Sequence, residues 1–474
     1  MAKKKFYVTT AIDYVNGRPH IGHAFEKVIA DVLARWNKLL GKKVWFLTGT
    51  DENAQKNAQA AKKEGISPRE LVDRNSKIFI ELCKKLDISH DRFIRTTESV
   101  HVKKSQEIFK KVYDKGEIYK GKYEGHYCVG CESFITEKDL VDGKCPEHDK
   151  EPEWISEDAY FFKLSKYKDE ILNFVKTYIV PESRRNEIIS RLENDELKDL
   201  CVSRINLDWG IDNPIDDEFK IYVWFDALIN YLTGENGYWP ADVHVIGKGI
   251  NWFHSVIWPG MLMSAGIELP ETLLVHGYLN LKGSKISKSL GNTIDPIELV
   301  DRYGSDSVRY SLLRCSVFED SDYSEEILIN RNNNELANKL GNLVSRVSGL
   351  AEKNGIERTH NGLLGKLKLK LIEKYIDNYE LDKALNEIFT FIDKCNEYVQ
   401  EKKPWETKDK KVLYELVDCI KVIAILLWPF IPSTSEKISR QFDFGIDYEK
   451  IGRPLDIKQI RKGEILFRKV ENGK

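Results

Sequence analysis

Apolar positions along the chain mark out three kinds of segment. Residues 6–10 (Phe-Tyr-Val-Thr-Thr) are aromatic and β-branched and predict a strand. From Gly22 to Leu40 the positions Phe25, Val28, Ile29, Val32, Leu33, Trp36 and Leu40 recur at helical spacing, and Gly41 stands where the helix should end. Val44–Leu47 is a second short apolar run. Strand, long helix and strand in about 45 residues form a βαβ unit, which requires a parallel sheet with a right-handed crossover. A further helix is expected near Glu52–Glu64, ended by Gly65, and Ser67-Pro68-Arg69-Glu70 has a capping-box pattern with proline at the first helical position.

The pattern changes near Gly116. Residues 121–158 are rich in glycine, cysteine, charged and aromatic residues with little periodicity, as in a small metal-stapled insert, and helical spacing returns over 159–200. Strand-like runs reappear at Ile221–Phe225, Val243–Ile246 and Leu273–Val275, so the sheet is interrupted and later resumed. From Glu325 to Gly445 nearly everything fits amphipathic helices, including Leu336–Leu350, Leu371–Phe391 and Val412–Leu427.

Composition narrows the class. The 474 residues are 42% hydrophobic and 31% charged, too apolar for a disordered chain. Lys plus Arg is 73 against 75 Asp plus Glu, a net charge of −2, which excludes a general polycation; nucleic acid would have to meet a local basic face. The longest apolar window, Ile420–Pro432, contains Lys421 and two prolines, and no adequate apolar stretch follows Lys3–Lys5. A cytoplasmic location is the expectation. Of eight cysteines, Cys83, Cys201, Cys315, Cys395 and Cys419 are scattered singly. Cys128-x-x-Cys131 and Cys145-x-x-His148 have metal-ligand spacing; three thiolates and an imidazole would close a tetrahedral structural Zn²⁺ shell.

Two elements carry candidate chemistry. Pro19-His20-Ile21-Gly22-His23 lies between the first strand and the first helix, where free N–H groups and the helix dipole favour a phosphate. His20 and His23 would add donors, while Gly22 lets an adenine approach the backbone. Alone, this is equally a turn with incidental histidines. Lys285-Ile286-Ser287-Lys288-Ser289, in a loop from Gly283 to Asn292, could neutralise charge developing on a triphosphate; alone, it reads as a solvated charged loop.

Together these elements resemble the class I aminoacyl-tRNA synthetases with their HIGH and KMSKS signatures, and within them the methionyl-tRNA synthetases. Tyr14–His23, Thr48-Gly49-Thr50-Asp51-Glu52, Val223-Trp224-Phe225-Asp226-Ala227-Leu228, Val275-His276-Gly277-Tyr278 and the Cys/His cluster carry the resemblance over nearly the whole chain. It implies a Rossmann-type catalytic domain (1–115 and 222–268) split by a zinc-binding connective insert (116–221). A region around the lysine loop follows (269–325), then an α-helical bundle that binds the anticodon (326–474). It implies that methionine reacts with ATP, accompanied by Mg²⁺, to give methionyl-adenylate and pyrophosphate, and that the methionyl group passes to the terminal adenosine of tRNA(Met). His20, His23, Lys285 and Lys288 would act on the phosphates, with Gly22, Glu26, Gly247 and His276 around the nucleotide. Methionine would lie among Ala11, Ile12, Tyr14, Trp224, Ala227, Leu228, Tyr231, His254, Ile257 and Trp258, with Asp51 on its ammonium group and Tyr14 or His254 donating to the thioether. Asn342, Arg346 and Trp405 match anticodon readers.

One departure stands out: Gly249 replaces the aspartate that in the family accepts from the ATP ribose, which shifts that task to a neighbour or weakens nucleotide affinity. A synthetase for cysteine, leucine or isoleucine, a plain nucleotidyltransferase and a non-catalytic tRNA-binding protein are the competing readings. The insert is short for an editing domain, the helical region has no use in a simple nucleotidyltransferase, and both histidines and both lysines are retained. With little chain beyond the helical region, a monomer is expected.

Overall fold

A computed structural model describes residues 4–131, 133–135, 137, 140–146, 150–205, 207–281, 284–285, 293–457 and 460–470. The N-terminal part runs β1 (Lys5–Thr10), β2 (Asp13–Tyr14), α1 (Ile21–Leu39), β3 (Lys43–Asp51), α2 (Gln55–Glu64), α3 (Pro68–Lys85), β4 (Arg92–Arg95) and α4 (Ser99–Asp114). Gly41 adopts φ +80°, so the long helix ends where the sequence placed its stop.

The insert begins with a long antiparallel pair, β5 (Ile118–Cys128) and β7 (Glu153–Phe162), in register from Ile118↔Phe162 to Tyr127↔Glu153; β6 (Ser133–Ile135) pairs on the outside of β5. Two helices follow, α5 (Lys168–Tyr178) and α6 (Glu182–Asn194), with β8 (Ile179–Val180) between them. Strands β9 (Leu200–Cys201), β10 (Ser203–Ile205) and β11 (Phe219–Ile221) lead back to α7 (Val223–Ala227), α8 (Asn230–Thr233), β12 (Val243–Gly247), a π-helical turn at Phe253–Ile257, α9 (Trp258–Ala265) and β13 (Leu273–His276).

The main sheet has the order β2-β3-β1-β12-β13-β8, with β4 also on β3, and every pairing is parallel. All strands keep one direction, but the order in which they are laid down reverses between β1 and β12, and ligands of such sheets bind in the crevice outside the carboxyl ends at that point. Thr10, Asp51, Gly247 and His276 are the last residues of β1, β3, β12 and β13, so four separate segments deliver side chains to one edge.

Two expectations are corrected. The run Ile221–Phe225 is not a strand: only Phe219–Ile221 is extended, and Val223–Ala227 is helical. All five α7 residues are buried, so the segment is apolar on every side and periodicity could not separate helix from strand. The sheet also resumes earlier than the 116–221 segment implied, because β8 pairs with β13 at Ile179↔Leu273 and Val180↔Leu274.

Beyond β13 come β14 (Leu279–Leu281), β15 (Ser284–Lys285), α10 (Pro296–Tyr303), α11 (Ser305–Leu313), β16 (Ser321–Asp322) and a helical rod from Glu325 to Asn354. This rod comprises α12 (Glu325–Arg331), a π-helical stretch Asn332–Gly341 and α13 (Asn342–Asn354). The expected helix Leu371–Phe391 is two, α14 (Leu369–Asp377) and α15 (Leu381–Lys402), broken where Tyr379 takes φ +63°. Short α16 (Pro404–Thr407), then α17 (Lys410–Leu427) and α18 (Pro432–Gln441), complete the helical part. This part grips the far end of α1. Arg309, fully buried, pairs with Asp31 at 2.7 Å and donates to the carbonyls of Pro429 and Phe430 at 2.9 Å each, while Arg35 lies over the Trp428 ring. Coulombic attraction to Arg309 and Arg35 overcomes the burial that would raise the Asp31 carboxyl, and holds it below the usual range.

Candidate active site

At the start of α1 the backbone amides are capped by histidines rather than the usual Ser, Thr or Asp. His20 Nδ1 accepts from Gly22 N–H at 3.1 Å, and His23 Nδ1 accepts from His20 N–H at 2.9 Å. With Nδ1 an acceptor, each neutral ring carries its proton on Nε2, a tautomer assigned from the hydrogen-bond pattern. The rings lie 3.8 Å apart. A Cβ at Gly22 would stand 3.0 Å from His20 Cε1, so any side chain there would push the His20 ring aside by a few tenths of an ångström. Below them Asp13 approaches His23 Nε2 at 3.9 Å and forms a buried ion pair with Lys27. Burial alone would lower the Lys27 ammonium, but Asp13 outweighs it and holds Lys27 above its usual value.

The histidines open into a cavity of about 860 Å³ at the sheet's carboxyl edge, within the range of about 300–1,000 Å³ usual for small-molecule sites. Glu26, Gly247, Gly249 and His276 also line it. His276 Nε2 meets Glu26 Oε2 at 3.2 Å, while Glu26 Oε1 is buried with no hydrogen-bond partner among the described residues. Beside this point Ile21 N–H donates to Ile294 O at 3.0 Å, and Arg18 donates to Asp295 at 2.9 and 3.0 Å. Lys285 enters the structure as a backbone position opposite Asn280 on β14; its side chain, and Lys288 altogether, lie outside the described residues.

At the other end the wall is aromatic. Tyr14 and Trp224 meet edge to face at 6.3 Å, and Phe253 stacks on Trp224 at 3.7 Å. Ala11, Ile12, Asp51, Ala227, Leu228, Tyr231 and His254 line the same space. Ile257 and Trp258 do not: both are buried behind it, with the Trp258 ring 5.9 Å from Tyr231. Burial, and then the charge of Asp51, push the Asp226 carboxyl well above the usual carboxylate range.

His254 cannot donate to a thioether. Its Nδ1 faces Ile250 O at 3.1 Å, which only accepts, so the proton sits there; Nε2 then accepts from Tyr231 O–H at 2.8 Å. Burial depresses its pKa to about 4, so no second proton is available near neutrality. Of the two donors expected from sequence, Tyr14 alone remains.

In the insert the sulfur atoms of Cys128, Cys131 and Cys145 lie within 4.8 Å of one another, with Cys131 and Cys145 Sγ at 3.4 Å. Tetrahedral Zn–S bonds of about 2.3 Å set sulfurs about 3.8 Å apart, so the three thiols could hold a metal ion. His148 lies outside the described residues. In the helical part, Asn342 and Arg346 sit on α13, and the Arg346 guanidinium lies 4.2 Å from the centre of the half-exposed Trp405 ring.

The model for tRNA synthetases class I (M) matches residues 6–152 and 139–348, and that for the anticodon-binding domain of tRNA ligase matches 366–460. The chain is 44% identical to the methionine–tRNA ligase of Caldanaerobacter subterraneus subsp. tengcongensis, over 99% of this chain and 79% of that protein. It is 42% identical to the methionine–tRNA ligase of Brucella suis, over 92% of each. The chain belongs to the methionine-type class I tRNA synthetases. A Mycobacterium tuberculosis methionyl-tRNA synthetase in complex with methionyl-adenylate superposes with a TM-score of 0.93 at 37% identity, covering 98% of this chain and 99% of that one.

Several residues at the synthetase cavity were not foreseen. Phe253, which stacks on Trp224 without lining the cavity, precedes His254 and reads as ordinary core in the sequence. Tyr127, Val129, Gly130 and Lys150 come from the cysteine-bearing insert, and Lys56 from α2. Lys56 sits between two polar helix positions, and only the fold shows that its ammonium lies 3.2 Å from the centre of the Tyr14 ring.

Proposed function

We propose that this cavity joins methionine to ATP and hands the methionyl group to the terminal adenosine of tRNA(Met). One observation carries the reading: His20 and His23, at the start of α1, and the aromatic slot at Trp224 line the same cavity. The amino acid's ammonium pairs with Asp51, a charge-assisted contact, and its thioether packs on Tyr14 and Trp224 among Ala11, Ile12, Ala227, Leu228 and Tyr231. Ile257 and Trp258 back this wall. A carboxylate oxygen of methionine attacks the α-phosphorus, and the bond to the bridging oxygen breaks to release pyrophosphate. The terminal ribose hydroxyl of tRNA then attacks the carbonyl carbon and AMP leaves. No side-chain nucleophile is needed; His20, His23, Lys285 and Lys288 hold the phosphates and meet charge as it develops. Mg²⁺ bound with ATP supplies charge neutralisation on the phosphates. Gly22 and Gly247 let the nucleotide approach the backbone, and Glu26 Oε1 takes the ribose hydroxyl that Gly249 cannot accept, with His276 fixing the carboxylate.

Cys128, Cys131 and Cys145, with His148 as the fourth ligand the sequence spacing supplies, would hold a structural Zn²⁺ in the 116–221 insert. Asn342, Arg346 and Trp405 read the anticodon from the 326–474 region, the indole stacking an unpaired base. Strands β8 and β13 join the 1–115 and 222–268 halves in the catalytic sheet, and the lysine loop lies within 269–325. A monomer in the cytoplasm completes the proposal. Among the described residues no helix is long and apolar enough to cross a membrane. The test is charging of tRNA(Met) transcript with radiolabelled methionine. Acid-precipitable methionine should depend on ATP and on the CAU anticodon, and absence of charging under saturating substrates would overturn the reading.

A further inference from the structure

The metal-bearing loop and the aminoacyl pocket share two hydrogen bonds that the proposed chemistry does not use. Lys56 Nζ donates to Gly130 O at 2.9 Å, and Trp224 Nε1–H donates to Cys131 O at 3.3 Å. Gly130 and Cys131 lie within the turn closed by the Cys128 and Cys131 thiols, so a metal fixing those sulfurs fixes the two carbonyls as well. On the pocket side each donor is itself part of the wall: the Lys56 ammonium lies on the Tyr14 ring, and Trp224 packs between Tyr14 and Phe253. Lys56 comes from α2, a different segment from both partners, and so clamps the insert onto the sheet domain at the mouth of the cavity.

We infer that Lys56 is a positioning residue that couples the metal-held turn to the methionine pocket, so that metal and methionine stabilise one arrangement and each tightens the other. The inference rests on the reading of the slot as the methionine site. Coupling between two ligands is reciprocal: the factor by which methionine raises metal affinity equals the factor by which metal raises methionine affinity, and values of about 5- to 20-fold lie within the common range. Removal of the ammonium should uncouple the two, while arginine, which retains a charged donor, should keep much of the coupling.

The experiment is competition for Zn²⁺ between the full-length protein and a chromophoric chelator, with and without saturating methionine, on wild type, Lys56→Met and Lys56→Arg. Calorimetric methionine titrations of the zinc-loaded proteins accompany it. In wild type, methionine should raise Zn²⁺ affinity about 5- to 20-fold; in K56M the factor should fall towards 1, with KM for methionine raised more than kcat is lowered, and K56R should restore it. Methionine that binds wild type without changing Zn²⁺ affinity, or a K56M protein that keeps the full factor, would overturn the coupling alone. Failure of wild type to bind methionine at all would remove the functional reading and this inference with it.

Discussion

Replacement of His23 separates two roles that one ring performs. Its Nδ1 caps the His20 amide at 2.9 Å, and its Nε2–H, 3.9 Å from Asp13, is the donor proposed for the phosphates. Alanine removes both. Asparagine keeps an acceptor near the Nδ1 position but is too short to place a donor where Nε2 stands. His23 is the N3 half of a capping box on the N-cap His20, and loss of such a capping contact costs about 1 kcal/mol of stability. Loss of one pre-placed donor to a transition-state oxygen costs about 2.7–4 kcal/mol, or about 10²–10³ in rate. Both variants should therefore lose about 10²–10³ in kcat for methionine-dependent ATP–pyrophosphate exchange, with methionine affinity by calorimetry within about threefold of wild type. Only His23→Ala should unfold measurably earlier in urea. Wild-type exchange in His23→Asn would refute the donor role. A parallel loss of methionine affinity in both would show that the ring serves pocket structure and not the phosphates.

Three further outcomes follow from the geometry. Glu26→Gln should raise KM for ATP about tenfold, equivalent to about 1.4 kcal/mol, and leave KM for methionine unchanged; equal effects on both would mean Glu26 supports the fold through His276 only. Trp405→Ala should cut tRNA charging at least tenfold while sparing pyrophosphate exchange, whereas equal loss in both would indicate misfolding. His101 and His254 are buried with pKa values depressed to about 4 by burial. Between about pH 6.5 and 4 the unfolded chain binds protons that the native rings do not, so their contribution is present above pH 6.5 and is lost as pH falls, up to about 3 kcal/mol for each. Comparison of wild type with His101→Asn cancels the other titrating groups. The variant's melting midpoint should fall less between pH 6.5 and 5, and parallel curves would refute the neutral-histidine assignment.

Much of the frame is legible in the amino-acid sequence. The βαβ start follows from apolar periodicity, the turn at His20 from its place between strand and helix, and the thiol cluster from its spacing. What escaped had physical causes. Val223–Ala227 is buried all round, so its periodicity is uninformative. The two-residue strand β8 is too short to pattern, yet it extends the sheet. Tyr379 breaks a helix through a left-handed backbone that no glycine or proline announces. At the site, motif matching placed Trp258 on the pocket although it stands one layer behind, and placed a donor on His254 although both ring nitrogens are committed to Ile250 and Tyr231. Lys56 and Phe253 carry no sequence signal, because their importance lies in partners 74 residues away, at Gly130, and 29 away, at Trp224.

The union of phosphate donors and thioether slot in a single cavity is tested most directly by titrating a non-hydrolysable methionyl-adenylate analogue into the protein. Such a ligand spans both ends, so it should bind at least 10²-fold more tightly than methionine, with Trp224→Ala and His23→Ala each weakening it. An analogue that binds no better than methionine, or that responds to only one of the two substitutions, would contradict the account.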